Sequence, residues 1–520
     1  MLATTRAAHA SARRMAITNA TGRKVELNEV EKEVFGLLLA AAKGDGKNTT
    51  LRCAGGWVRD KLMGKTSNDI DIALDNVLGK EFADAVNAHL QAKGDEQHHV
   101  AVILSNPEQS KHLETARMKI LGEWIDFVNL RAESYAENSR IPTMKFGTPL
   151  EDAVRRDLTI NALFYNINQG IVEDFTGKGM DDLQNQTIRT PLPPKKTFLD
   201  DPLRVLRAVR YRARFHFQYA DGLLEAARED DVRQALSDKI SRERIGVEVD
   251  TLMKSRNPVQ GVKDFCDMNI FEIVFAIPGE CLIKRYGQRC SQSLALAWEV
   301  LGKLGEEYLT PEERHVFMYA ALLLPLRNQM HTGPKRKVKE ATYHIIRDSL
   351  KLRTRDAEAV ALLHNHAQRF KNLFAVLHTD AGVPDLSKST RIGTGLLIRD
   401  LGHLWRACLV IASLLQDPVT CPIEEADAEH ELLYKKSSVK EVTEICNKVE
   451  SSIAALGLRD AWKLKPLLDG KTVMQLLGMD KGGPRLGVAM AAQMEWQLAN
   501  PGKGAEECTK WLEEMFAQKS

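Results

Sequence analysis

The stretch from Leu51 to Leu74, LRCAGGWVRDKLMGKTSNDIDIAL, constrains this chain more than any other. Gly55 and Gly56 form an apolar-flanked turn near its head. Without Cβ atoms, the two glycines adopt torsions closed to other residues and let the backbone come close to a phosphate. Asp69 and Asp71 follow, interleaved with Ile70 and Ile72. Residues two apart on a strand share a face, so both carboxylates point to one spot. Two hard oxygen ligands beside a phosphate-cradling turn suit Mg²⁺, which binds through one or two carboxylates and substrate phosphates. The implied chemistry is metal-assisted phosphoryl or nucleotidyl transfer, in which cations neutralise charge on attacking and leaving oxygens.

Around this stretch the pattern is α+β. Glu26 to Ala42 has helical periodicity and leads into the strand that ends at the Gly-Gly turn. A helix near Lys80 to Lys93 follows, then strands at Val100 to Leu104 and Lys119 to Val128, the second with Ile125 and Phe127 alternating against Trp124, Asp126 and Val128. This predicts a small mixed sheet backed by helices. Residues 131–147 carry Pro and Gly among polar residues and read as a mobile loop. Thr148-Pro149-Leu150-Glu151 then supplies an N-cap, an early proline and a capping-box glutamate, so a helix starts there and carries Arg155-Arg156-Asp157 toward an apolar run ending at Tyr165.

Gly-Gly-x-Val-Arg-Asp at 55–60 and Asp-Ile-Asp at 69–71 together resemble the catalytic signature of the polymerase β superfamily. More narrowly, they resemble the class II tRNA nucleotidyltransferases (CCA-adding enzymes), eukaryotic type, and the related poly(A) polymerases. EDAVRRDLTINALFYN, 151–166, is similar to the second motif of that family, and the resemblance implies that Arg156 and Asp157 face the phosphates and ribose of a nucleotide. IVEDFTGKGMDDL, 171–183, is similar to a third motif, which implies a hinge. The family also implies two-metal catalysis on Asp69 and Asp71. For Asp126, a third metal-facing carboxylate and an ordinary surface acid both remain open.

A second informative stretch, DDPLRVLRAVRYRARF, runs from Asp200 to Phe215. On a helical wheel Val205, Leu206, Val209 and Ala213 fall on one arc, and Arg204, Arg207, Arg210 and Arg214 on the other. Arg204 to Arg210 spans about 9 Å at 1.5 Å rise per residue, comparable to the long dimension of a nucleoside triphosphate. Asp201 and Arg204 lie one turn apart. A carboxylate only accepts hydrogen bonds and a guanidinium only donates them, which complements the pairing edges of cytosine and adenine and opposes those of uracil and guanine. Each unpaired buried polar group costs roughly 1–3 kcal/mol, so two mismatches discriminate about 10²-fold or more. The family's (Glu/Asp)-Asp-x-x-Arg motif is held to act as such a protein template. By the same resemblance Gly56, Arg59, Arg156, Arg207 and Arg210 hold the triphosphate, and Glu243 and Arg244 in SRERI brace the base-reading helix.

Composition narrows the remaining choices. The chain has 520 residues, enough for two to four domains or subdomains, and its net charge of +2 confines any nucleic-acid surface to a local patch. Eight cysteines without a C-x-x-C pair argue for free thiols and against zinc. The longest apolar stretches, around Leu409 to Leu415, fall far short of the roughly 20 residues that span a bilayer, so no membrane partner is expected. Residues 1–24 contain Arg6, Arg13, Arg14, Arg23 and Lys24 and no acid, a composition that fits a mitochondrial or plastid presequence or a disordered tail. Met15 offers a second start, hence a cytosolic or nuclear form.

The resulting expectation is a polymerase-β-type nucleotidyltransferase head at 25–196, a helical nucleotide-recognition neck at 197–275, and an elongated helical body and tail at 276–520 that binds tRNA. In the body, Lys335, Arg336, Lys337 and Lys339, or Lys463 and Lys465, either touch phosphate or simply face solvent. His364-x-His366 suggests a metal, but no His-Asp dipeptide occurs. PLLDGKTVMQLLG, 466–478, is the most family-like segment of the tail. The resemblance implies a monomer that adds CCA to tRNA from CTP and ATP with Mg²⁺. The alternatives are a poly(A) polymerase and, in a different class, a non-catalytic RNA-binding scaffold.

Overall fold

Alternating apolar and polar residues build a seven-stranded mixed sheet in the first half of the chain. Its strands are β1 (Leu51–Ala54), β2 (Ile70–Leu74), β3 (Val100–Ile103), β4 (Thr115–Ile120), β5 (Glu123–Asn129), and, past the hairpin β6 (Arg131–Ser134) and β7 (Thr143–Phe146), β8 (Phe164–Asn166) and β9 (Ile171–Glu173). The order is β3-β4-β5-β2-β1-β8-β9, antiparallel throughout except for β2 beside β5. Helix α1 (Glu29–Gly44) packs on α3 (Gly79–Lys93), and α3 covers β4 and β5; between them lies the short α2 (Gly56–Leu62). On the covered face Phe82 meets Phe127 edge-to-face at 5.2 Å. The computed structural model describes residues 25–44, 46–67, 69–103, 115–134, 143–277, 286–332, 338–377, 387–415 and 437–517. The expected targeting segment and the basic residues 335–337 lie outside them.

Three local expectations change. Residues 119–128 form a hairpin, because Leu121 (φ 51°) and Gly122 (φ 90°) make a two-residue turn between β4 and β5; both centres have positive φ, the geometry tight hairpins prefer. The stretch 131–147 contains the paired strands β6 and β7 rather than loop alone. The helix starting at Thr148 has its full capping box: Thr148 Oγ1 accepts from Glu151 N at 3.2 Å and Thr148 N donates to the Glu151 carboxylate at 2.7 Å. This α4 (Pro149–Val154) stops short, however, so Arg155–Asp157 leave the helix and the apolar run folds into a 3₁₀ turn and β8.

After β9 the Asp174 carboxylate accepts from the backbone N–H groups of Thr176, Gly177 and Met180, closing the glycine-rich bend into a knot ahead of α5 (Gly179–Gln184). Next come β10 (Thr187–Ile188), α6 (Pro194–Asp200) where a linker was expected at 191–196, and α7 (Leu203–Phe215). Val205, Leu206, Val209 and Ala213 on α7 are buried, as the wheel predicts. After β11 (Gln218–Tyr219) and α8 (Leu223–Arg228), α9 (Asp230–Lys239) leads to α10 (Arg242–Met253) and α11 (Pro258–Asp267), both packed on α7.

The chain divides into two compact units, Met1–Val274 and Phe275–Ser520. The described part of the second is helical, as expected, apart from the hairpin of β12 (Met330–Thr332) and β13 (Val338–Glu340) where a plain connector was expected. Its core includes α12 (Pro311–Leu323) and α13 (Thr354–Leu377), which carries His364. Burial pushes this imidazole down to about 4, and its Nε2 lies 2.8 Å from the Ala320 carbonyl oxygen. It is a packed core histidine. The segment 466–478 contains an Asp469-capped helix, Gly470–Leu476, over a small cluster of Leu468, Val473, Leu512 and Phe516. Among the described residues, no helix is long and apolar enough to cross a membrane, and the described cysteines are free.

Candidate active site

The site forms where β2 and β5 run parallel. Register places Asp71 directly beside Asp126, and Asp69 sits one residue ahead of β2. Carboxylate oxygens of Asp69, Asp71 and Asp126 all lie within 4.8 Å of one another. Burial, then the like charges of Asp69 and Asp126, push the Asp71 carboxyl up to about 6. Three hard oxygen donors that repel one another at this distance fit a divalent cation, which would relieve the repulsion. Asp126 is also held by Arg117, whose Nε and Nη2 donate to its two oxygens at 2.5 and 2.6 Å.

The turn after β1 explains its glycine. Gly55 has φ +66°, and a Cβ there would meet Arg156 Nη1 at 2.7 Å and the Asn161 carbonyl oxygen at 3.1 Å. Arg156 lies over this turn because Asp152 on α4 accepts from its Nε and Nη2 at 3.0 and 2.8 Å, and the Asn161 carbonyl accepts from Nη1 at 3.1 Å. The other Asp152 oxygen takes Arg155. Burial would raise the Asp152 carboxyl, but the two guanidiniums hold it below the usual range.

Asp157 is equally tied. Its oxygens accept from Arg207 Nε at 2.7 Å, from Leu158 N at 2.8 Å and from Asn161 Nδ2 at 3.1 Å. Burial opposes ionisation, yet Arg207 and Asn161 bring the carboxyl down to about 2. On α7 the arginine row does not simply face solvent: Arg204 and Arg210 are buried. Arg204 Nη2 donates to the Arg155 carbonyl at 2.7 Å. Arg210 Nε donates to Glu248 at 2.6 Å, and Arg207 lies 3.5 Å from the other Glu248 oxygen. Asp201, just before the helix, accepts from Leu203 N at 3.2 Å and from Arg244 Nη2 at 2.9 Å.

A cleft of about 480 Å³ brings Gly55, Gly56, Asp69, Asp71, Arg156, Asp157, Asp201, Arg204 and Arg207 onto one lining. Other expected site residues stand elsewhere. Arg59 is buried behind the wall, bonded to Asp60 at 2.9 Å and to Asn161, with its guanidinium 5.2 Å from the Tyr211 ring centroid. Arg210 also lies over Tyr211, at 4.4 Å. Arg244 supports the cleft through Asp201, whereas Glu243 is exposed; the acid of α10 that engages α7 is Glu248. Asp152, Asn161 and Glu248 were not legible as site residues. Asp152 had a signal, since it stands three and four positions before Arg155 and Arg156 at the spacing that pairs charges on a helix. Glu248 had none, because its partners lie 38 and 41 positions earlier in the chain.

Residues 51–189 match the Poly A polymerase head domain family. The chain is 35% identical to the tRNA nucleotidyltransferase cca1 of Schizosaccharomyces pombe, an alignment covering 93% of this chain and 95% of the relative. It is also 35% identical to the mitochondrial CCA tRNA nucleotidyltransferase of Saccharomyces cerevisiae, over 92% and 91%. In fold it is similar to the crystal structure of the Bacillus stearothermophilus CCA-adding enzyme in complex with CTP, with a TM-score of 0.62 at 18% identity, covering 95% of this chain and 99% of that one. With the carboxylates, the Gly55 turn and the arginine-lined cleft in this arrangement, the chain belongs to the tRNA nucleotidyltransferase family and is a nucleotidyltransferase.

Proposed function

We propose that this enzyme adds C, C and A to the 3′ end of tRNA from CTP and ATP, releasing pyrophosphate, with protein side chains in place of a nucleic-acid template. The observation that carries the reading is that the carboxylates at the end of β2 and the pair Asp201 and Arg204 line one cleft of nucleotide size. Asp69 and Asp71, with Asp126 beside them, would hold Mg²⁺, whose charge would offset that building on the attacking and leaving oxygens. The Gly55 turn lets a phosphate approach the backbone, and Arg156 above it supplies the balancing charge. Arg207 carries a second positive charge into the cleft, oriented by Asp157, while Arg59 and Arg210 act from behind by fixing Tyr211 and the helix. Asp201 accepts from the exocyclic amino group of cytosine or adenine, and Arg204 donates to the neighbouring ring nitrogen. Arg244 takes one lone pair of Asp201 and leaves others for the base, since an ionised carboxylate offers about four acceptor positions. Positioning and charge stabilisation are sufficient for such transfers. The name of the budding-yeast relative and the basic composition of residues 1–24 support a mitochondrial location, with Met15 as the start of a second form.

The test is purified protein with tRNA ending at the discriminator base and each nucleotide alone and together. Extension that stops after C, C and A supports the reading. Long A tails would make the enzyme a poly(A) polymerase, and no extension would leave an RNA-binding scaffold.

A further inference from the structure

The open face of β4 and β5 runs on past the cleft. Along β5, alternate residues Val128, Asp126 and Trp124 point to this face; Val128 lines the cleft, Asp126 belongs to the carboxylate trio, and Trp124 lies beyond. Trp124 is 49% exposed, an unusual state for so large an apolar side chain. Antiparallel register sets Lys119 opposite Trp124 and Arg117 opposite Asp126. The Arg117 guanidinium and the Lys119 ammonium each lie 5.9 Å from the Trp124 ring centroid. The strip is therefore an open π-face bordered by two cations, one of which also grips a carboxylate of the trio.

We propose that Trp124, with Lys119 and Arg117, forms a stacking platform for the 3′-terminal base of the RNA primer. The inference rests on the reading that this enzyme extends a tRNA 3′ end. In-line transfer requires the attacking hydroxyl and the departing pyrophosphate on opposite sides of the α-phosphorus. With the nucleotide in the cleft at the Val128 end of β5, the primer reaches the carboxylates from the Trp124 end. Trp124 is two residues from Asp126, about 6.8 Å at 3.4 Å per residue. That is comparable to the separation between a ribose 3′-oxygen and its own base. Aromatic faces beside cations are what single-stranded nucleic acid binds without regard to sequence. Sequence tolerance is what this position needs, because the terminal base changes at each addition and among tRNAs.

The experiment is steady-state kinetics of the full-length protein on tRNA ending at the discriminator base. Trp124→Ala should raise KM for tRNA about tenfold, within the range that stacking one base on an aromatic ring contributes. KM for CTP should stay within about twofold, and Trp124→Phe should restore most of the loss, whereas a leucine should not. Circular dichroism and thermal midpoints of the three variants report folding separately. An unchanged KM for tRNA in the alanine variant, or equal rescue by leucine and phenylalanine, overturns the platform. Failure of the wild-type protein to extend tRNA at all overturns instead the functional reading beneath it.

Discussion

Arg244, on α10, donates a hydrogen bond to Asp201 at 2.9 Å, and this contact joins two segments 43 positions apart in the sequence at the wall of the cleft. The orientation of Asp201 therefore depends on a residue outside the cleft. Arg244→Met should lower discrimination of CTP and ATP over UTP and GTP by about tenfold, the effect of one loosened hydrogen bond to a charged group, while the dependence on Mg²⁺ concentration stays as in wild type. Competition assays with mixed nucleotides measure the ratio; unchanged selectivity would mean that Asp201 needs no external support.

Glu248 is the hinge of the arginine row. It is buried and lies against both Arg210 and Arg207, so removing its charge takes the carboxylate from Arg210 and leaves Arg207 with Asp157 alone. Breaking one member of a buried ionic cluster costs about 3–5 kcal/mol. Glu248→Gln should lose stability of that order in a denaturant titration and raise KM for both nucleotides, because Arg207 then loses one of its two acidic contacts. A stable variant with normal KM values would show that α7 holds its arginines without help from α10.

How much of this was legible depended on the range of the interaction. The capping box at Thr148 and the apolar stripe of α7 were readable because the residues concerned lie within one or two turns of each other. The shared face of Asp69 and Asp71 followed from strand period alone. Leu121-Gly122 was missed because leucine is a poor signal for a positive-φ position, so one hairpin read as one strand. From the sequence, Arg204 and Arg210 belong to a guanidinium row that faces the nucleotide, Arg204 at the base and Arg210 at the triphosphate. What buries them is tertiary: the Arg155 carbonyl comes from before β8, and Glu248 from α10, the third helix after α7. The wheel orders the arginines but does not reveal their acceptors.

Gly55 provides a local test of the phosphate turn. Gly55→Ala meets two costs, a positive φ and a Cβ within 2.7 Å of Arg156 Nη1. At φ 66° and ψ −115° the backbone lies in a region essentially reserved for glycine, which costs an L-residue on the order of 1–3 kcal/mol, and relief of the contact moves Arg156 away from the turn. Expected is a loss of kcat/KM for both CTP and ATP of at least about tenfold, with tRNA affinity retained in a filter-binding assay. Equal loss of tRNA binding would place the turn on the RNA side instead.

The second unit should carry its own acid sensitivity through His364. Burial lowers the folded imidazole to about 4, against an ordinary value near 6.5. Below 6.5 the unfolded chain takes up a proton that the folded chain refuses, so stability is full above about 6.5, falls as pH drops, and levels off once the folded group titrates near 4. The span corresponds to an upper bound of about 3 kcal/mol. Denaturant midpoints followed by a probe in this unit should decline across that window, and His364→Gln should flatten the decline. A pH dependence untouched by the substitution would assign the acid sensitivity to other groups.

Asp71 shows the opposite linkage, and it separates stability from function. Its carboxyl is raised to about 6 in the folded chain, so the folded state binds the extra proton and loses stability as pH rises from about 4 to 6. At pH 7 without metal, Asp71→Asn should therefore be more stable than wild type, by at most about 3 kcal/mol, and should incorporate no nucleotide. Adding Mg²⁺ should raise the wild-type thermal midpoint, because an ion that binds only the folded state stabilises it by mass action, and should leave the variant nearly unmoved. If the variant's midpoint climbed with Mg²⁺ as far as that of wild type, the carboxylates at the end of β2 would not be where the cation gathers.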